Sequence, residues 1–204
     1  MRKHTDKYMI TKAEHTRQRI LDAALSVFSR KGYYDARMDE IVAEADSSKG
    51  SVYFHFSSKE TLFLALIDEF AHRLEESLTK AIAAEQGGVH RVEAALNAGL
   101  GVFGKYRQLA KIFLVQAVGL GQTFEVKRLK ILDNFAVLIK EHLDEAIADK
   151  DIQPIDTTIV AYAWVGAINE LVMRWIQTGE PEPERILPTL RTMLLRSIGF
   201  EHKL

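Results

Sequence analysis

The four prolines of this 204-residue chain, Pro154, Pro181, Pro183 and Pro188, all lie beyond residue 153. Before and between them, apolar residues recur at three-to-four-residue spacing and do not alternate. A half-buried strand hides every second residue and a helix every third or fourth, while proline interrupts a helix by removing an N–H and crowding the preceding turn. The expected fold is therefore all-α, with about nine helices. Ile20, Ala24, Val27 and Phe28 form one stripe of a first helix over about 13–31, stopped at Gly32. Ile41, Val42 and Ala45 mark a second over 38–45, and Ser48 can cap a third over 49–55 by accepting from its first N–H groups. Ser58 opens a longer helix carrying Glu60, Leu62, Leu66, Phe70 and Leu74 up to the break at Gln86-Gly87-Gly88. The pattern then predicts helices over 89–107, 109–118, 123–149, 155–178 and 183–198.

A hydrophobic content of 47% is enough to fill a sizeable core at this length. The longest runs without charge, Ile112 to Phe124 and Thr157 to Asn169, fall short of the roughly 18 apolar residues a membrane helix needs, so no membrane span is expected. The first twenty residues are basic but lack the apolar core of a secretory signal. With no cysteine there are no disulfides or thiolate zinc sites, which fits a cytoplasmic protein. Net charge is −1, but its distribution is uneven: residues 1–60 are +2 and residues 61–204 are −3. Nucleic-acid contact at the N-terminal end is permitted by this balance and not demanded by it.

The segment Asp46 to Glu60 places two hydroxyl-rich turns around a short, semi-polar helix. Asp46-Ser47-Ser48 reads as a turn in which Asp46 tolerates a left-handed conformation. A short helix, a tight turn and a second short helix packed on a longer first one is the helix-turn-helix pattern, whose second helix enters the DNA major groove. Val52 and Phe56, four apart, face inward, leaving Lys49, Ser51, Tyr53, Phe54 and His55 around the outer face. Gly50 and Ser51 are small enough for close backbone approach. Tyr53, His55 and Lys59 can donate to phosphate oxygens, and Phe54 can touch a thymine methyl.

Thr16 to Tyr33, Met38 to Ala45 and Ser48 to Glu60 closely resemble the DNA-binding domain of the TetR family of transcriptional regulators. The resemblance implies a homodimer on a double-stranded, pseudo-palindromic DNA operator, with a C-terminal domain that binds a small effector. It places the family's phosphate-binding tyrosine on Tyr53, its neighbouring polar position on His55, the lysine opening the fourth helix on Lys59, and the groove-facing helix start on Lys49, Gly50 and Ser51, with the capping Ser48 beside them as a further candidate DNA contact. Two positions depart from the family. Arg37 stands where a Ser or Thr usually caps the second helix, so charge replaces a hydroxyl toward phosphate and Asp35 becomes the candidate cap. Asp46-Ser47-Ser48 replaces Gly-Val-Ser, so a small apolar contact is lost and a negative charge is set near DNA. The expected organisation is an arm over 1–12, a helix-turn-helix domain over 13–60, and an effector and dimerisation domain over 61–204.

The helix from Ile155 to Ile176 is apolar on nearly every face and calls for burial on two sides. By resemblance, it pairs with the helix over 186–198 and packs on its dimer mate as a four-helix bundle. Candidate effector-pocket residues are Phe103, Tyr106, Phe113, Gln116, Phe124, Phe135, Trp164 and Asn169, many of which serve a plain core equally well. Two basic groups, Lys105, Arg107, Lys111 and Lys127, Arg128, Lys130, are either a solvated face or the rim of a pocket with an anionic ligand. These features point to a small hydrophobic effector, either an acyl-CoA or a fatty acid, with the fourth helix as the lever between the domains. No cofactor is expected.

The alternative is an all-α enzyme or metal-binding bundle. Glu69 and His72 form one Glu-x-x-His pair, but a di-iron bundle needs two such pairs and two further carboxylates. Glu141, His142, Asp144 and Glu145 lack metalloprotease spacing and read as a polar helix face; Glu170 and Arg174 read as a helix ion pair. No Gly-rich phosphate loop or G-x-S-x-G elbow occurs.

Overall fold

A computed structural model describes residues 12–200. The arm expected over 1–12 falls almost wholly outside that range. Among the described residues there are nine α-helices and no strand: α1 (Lys12–Asp35), α2 (Met38–Glu44), α3 (Lys49–His55), α4 (Lys59–Ala83), α5 (Gly88–Lys105), α6 (Arg107–Lys111), α7 (Gln122–Ala148), α8 (Thr157–Thr178) and α9 (Pro183–Ser197). A π-helical turn, Ile112–Gln116, continues α6. The chain divides into two compact units, residues 1–66 and 67–204, and the boundary falls inside α4.

In the first unit, Ile20, Leu21, Ala24, Val27 and Phe28 of α1 are buried together with Ile41, Val52 and Phe56. Gly32 has φ +79°, a conformation a side chain rarely adopts, so it interrupts α1 before a final turn over Tyr33 to Asp35. Phe28 and Tyr33 then close on Phe63 with ring centroids 5.1 and 5.0 Å away. Asp35 does not cap α2. Arg37 holds the extended N-cap position, and Glu40 reaches back from the first turn to accept the Arg37 N–H at 3.2 Å. The turn between α2 and α3 has Asp46 at φ +45°, the left-handed conformation expected of it. Ser48 caps α3, its Oγ accepting the Ser51 N–H at 3.2 Å. At the start of α4, Ser58 and Thr61 exchange hydrogen bonds, each N–H donating to the other's hydroxyl at 3.1 Å.

In the second unit α7 packs against α5 on one side and α8 on the other. Gly88 makes the first approach possible: a Cβ there would lie 2.4 Å from the Ala146 nitrogen. Thr157 Oγ1 donates to Asp144 Oδ1 at 2.6 Å and pins the start of α8 to the end of α7, while Asp156 caps α8 through the Thr158 and Ile159 N–H groups. The inner face of α8 buries Ala161, Trp164, Val172, Trp175 and Ile176, and Trp164 Nε1 donates to Ser197 Oγ of α9 at 3.1 Å. Ile159 and Tyr162 on its other face, and Met193 on α9, are more than half exposed. By length and composition α8 is the one described helix apolar enough to cross a membrane, a property the uncharged-run criterion missed because Glu170 and Arg174 interrupt it. Those two residues form an ion pair at 3.1 Å.

Candidate functional site

The first unit presents α3 outward. Val52 and Phe56 are buried, and Phe56 also lies under the Arg17 guanidinium of α1 at 5.2 Å, so the inner face of α3 is fixed to α1. The rest of α3 is left to solvent. Phe54 is 83% exposed, Tyr53 is exposed, and the half-buried His55 ring stands edge-on to Phe54 at 5.3 Å. An exposed phenylalanine has no folding reason to be there, since burying it would have been favourable by about 2 kcal/mol. Arg37 is exposed at the start of α2. Lys49 donates to Asp39 at 3.0 Å, and this partner holds its ammonium above the usual lysine range.

The unusual turn is held from α1. Arg19 donates to the Ser47 hydroxyl at 3.0 Å and to the Asp46 carbonyl at 3.4 Å, and Ser47 in turn donates to the Ala45 carbonyl at 3.1 Å. A polar clamp thus replaces the apolar contact that Ser47 removes. Ion pairs also tie α1 to α2: Lys31 to Glu40 at 2.5 Å and Arg30 to Glu44 at 3.1 Å. The hydrogen bonds from Lys31 and from the Arg37 backbone hold Glu40 below the usual carboxylate range, as those from Arg30 and Ser26 do Glu44.

Lys59 has a task other than the phosphate contact expected of it. Its ammonium donates to the carbonyls of Tyr33, Ala36 and Tyr34 at 2.7, 3.0 and 3.1 Å and sits 4.6 Å above the Tyr33 ring. An ammonium has three N–H groups, and all three are engaged. Lys59 terminates the broken end of α1, satisfying carbonyls that the Gly32 interruption strands.

The second unit contains an apolar cavity enclosing about 730 Å³ of space outside protein atoms, part of it open to solvent. Four of the eight expected pocket residues line it: Phe103, Phe113, Phe135 and Asn169. The other four are elsewhere. Tyr106 lies on a separate outer groove, between Arg73 at 4.6 Å and Lys105 at 5.1 Å, and these cations lower its hydroxyl pKa. Trp164 faces Ser197, Phe124 is buried at the start of α7, and Gln116 ends the π-helical turn. None of the six basic residues considered for a pocket rim is a wall of the cavity: Lys127 pairs with Asp68, Arg128 with Glu125 at 2.6 Å, and Arg107 stacks on Trp175 at 4.7 Å.

The cavity has two polar side chains among its walls, Asn169 and His142. Asn169 Oδ1 is buried without a hydrogen-bond partner. His142, expected on a polar face, is instead a wall residue; its Nδ1 lies 2.9 Å from Glu145 Oε2, which also accepts from Arg91 at 2.9 Å. These two partners hold Glu145 below the usual carboxylate range. The sequence did carry a signal for His142, because Phe135, Leu138 and Ile139 lie seven, four and three positions before it and also line the cavity. Glu69, the acid of the lone Glu-x-x-His pair, bonds Arg73 at 2.6 Å.

An N-terminal helix-turn-helix with an exposed second helix, followed in the same chain by a helical unit around an apolar cavity, defines a helix-turn-helix regulator with a ligand-binding unit. Residues 20–66 match the model for bacterial regulatory proteins of the tetR family. The chain belongs to the TetR family. It is 29% identical over 188 residues to the HTH-type transcriptional regulator YdgC of Bacillus subtilis, covering 92% of this chain and 94% of YdgC. It is 31% identical over 140 residues to the HTH-type transcriptional regulator SrpR of Pseudomonas putida, covering 69% of this chain and 65% of SrpR. The transcriptional regulator FadR from Bacillus subtilis, solved in complex with stearoyl-CoA, has the same fold, with a TM-score of 0.79 at 18% identity over 89% of this chain and 98% of FadR.

Proposed function

We propose that the protein is a one-component repressor in the cytoplasm that binds a pseudo-palindromic operator as a homodimer and is released by a mainly hydrophobic effector carrying an acyl chain. The observation that carries this reading is the pairing in one chain of an outward-facing α3, with Phe54 83% exposed, and a partly open cavity whose walls are almost wholly apolar. Tyr53, His55, Arg37 and Lys49 contact phosphates, Ser48, Gly50 and Ser51 allow close approach, and Phe54 contacts a base edge. Lys49 exchanges Asp39 for phosphate on binding. A second copy covers Ile159, Tyr162 and Met193, the exposed apolar residues of α8 and α9. The acyl chain is favoured by the cavity's composition and by the stearoyl-CoA bound to the similarly folded FadR.

For the effector to act as a switch it must bind the DNA-incompetent state more tightly than the competent one, since equal affinity shifts nothing. Helix α4 begins at Lys59 and carries the cavity residues Leu74 and Leu78, so it is the element through which occupancy reaches the DNA-binding unit. The test is capture of genomic fragments by the purified protein, followed by addition of fatty acids and acyl-CoAs of graded length. Release by alkyl-chain compounds supports the reading; capture that none of them disturbs removes the effector half of it.

A further inference from the structure

The alkyl-chain reading leaves open which end of the ligand the protein recognises, and the inference below rests on that reading. The residues of α7 that line the cavity run from Leu132 to His142. Gly88 against Ala146, and Arg91 bonded to Glu145, place the start of α5 beside the end of α7, so the two helices run antiparallel. The Thr157–Asp144 bond does the same for α7 and α8. His142 and Val92 therefore mark one end of the cavity, and Leu132, Phe103 and Asn169 the other. From Leu132 to His142 along α7 the separation is about 15 Å at the helical rise. An extended chain of about twelve carbons spans that length at tetrahedral carbon–carbon spacing.

His142 is 12% exposed at its end of this slot. Glu145 is ionised and can only accept, so the hydrogen between it and His142 Nδ1 belongs to the imidazole. Arg91 fixes Glu145 from the other side. This arrangement sets the tautomer and leaves Nε2 as the atom free to meet a ligand. A neutral imidazole so held presents a lone pair at Nε2 and accepts a proton from a carboxylic acid; a protonated one donates to a carboxylate. Both descriptions place one proton between Nε2 and a carboxyl oxygen. A thioester or ester carbonyl brings no proton and, against the neutral ring, finds no donor.

We infer that His142, oriented by Glu145 and Arg91, is the head-group anchor of the cavity, and that the ligand it selects is a medium-chain free fatty acid and not its thioester. The carboxyl lies at Nε2 and the chain runs along α5 and α7 toward Phe103 and Leu132.

The experiment is calorimetric titration of the full-length protein with dodecanoic acid, methyl dodecanoate and dodecanoyl-CoA, repeated on His142→Leu and His142→Gln. In the wild type the acid binds at least about ten-fold tighter than the ester or thioester, the factor one hydrogen bond to a charged group supplies. In His142→Leu that preference collapses to within about two-fold while the ester binds as before, which shows the cavity intact. His142→Gln, which can donate to a carboxylate, restores part of the preference. A wild type that takes the ester or dodecanoyl-CoA as tightly as the acid overturns the anchor but keeps the acyl effector, as does His142→Leu with its preference retained. Failure of all three probes to bind refutes the acyl effector itself and the anchor with it.

Discussion

Replacing Lys59 with methionine keeps most of the aliphatic stem and removes the ammonium. Three hydrogen bonds to the Tyr33, Tyr34 and Ala36 carbonyls are lost, at 2.7, 3.1 and 3.0 Å, along with the contact 4.6 Å above the Tyr33 ring. One hydrogen bond to a charged group is worth about 1.5–3 kcal/mol in mutational series and the cation–π contact about 0.5–1 kcal/mol, but the cost of desolvating the ammonium, which offsets much of these gains, is removed along with it. The Tyr34 carbonyl is exposed and recovers water; those of Tyr33 and Ala36 are partly buried and recover less. A net loss of about 3 kcal/mol follows, or a fall in Tm of roughly 6–12 °C for a protein of this size. Thermal melting followed by circular dichroism reads this directly. Salt dependence of binding to non-specific duplex DNA reads the competing role, since a phosphate-bound lysine contributes about one unit to the slope. A large Tm drop is expected, with an unchanged slope among the molecules still folded. A Tm within about 2 °C of wild type with the slope reduced by one would refute the clamp and return Lys59 to the DNA.

Gly88→Ala should destabilise by about 1–3 kcal/mol in urea, because its Cβ would stand 2.4 and 2.6 Å from the Ala146 nitrogen and Cα and would force α5 from α7. The helix-propensity gain of about 1 kcal/mol is too small to offset this. Asn169→Leu, close in shape but without the unpartnered Oδ1, should raise the Tm of the ligand-free protein, and a lower Tm would show that the amide is satisfied in solution. Glu40 and Glu44 have folded pKa values below their ordinary ones, so their contribution to stability is present above the usual carboxylate range and is lost as pH falls through the folded values. Melts of the wild type should therefore decline with acidification in that window, and a double Glu40→Gln, Glu44→Gln variant should decline less steeply.

What was legible in the sequence was what periodicity controls. Val52 and Phe56 are buried and Phe54 exposed because a short helix on a fixed partner has one possible inner face. The Gly32 stop and the left-handed Asp46 were legible because backbone sterics at these residues are local. Lys59 was not legible: its partners lie 23 to 26 residues earlier, and a lysine on a helix start looks the same whether it faces phosphate or carbonyl. Arg19, which clamps the turn 27 and 28 residues later, was hidden for the same reason. In the second unit, aromatic character did not separate cavity walls from core. Phe113 and Phe124 are both buried phenylalanines, and only the packing of α5, α7 and α8 puts the first on the cavity. The π-helical turn over Ile112–Gln116, which brings Phe113 and Leu114 to that wall, has no composition of its own to announce it.

The claim that α3 reads DNA in a two-fold symmetric assembly is tested most directly by selection of bound duplexes from a random-sequence pool by the purified wild-type protein. Two α3 helices on a dimer occupy major grooves a whole number of helical turns apart, so the half-site centres of the enriched sequences are fixed by geometry. The expected result is enrichment of an inverted repeat whose half-sites lose definition at a single position in Phe54→Ala. Enrichment of an isolated half-site, or of no sequence at all, would contradict it.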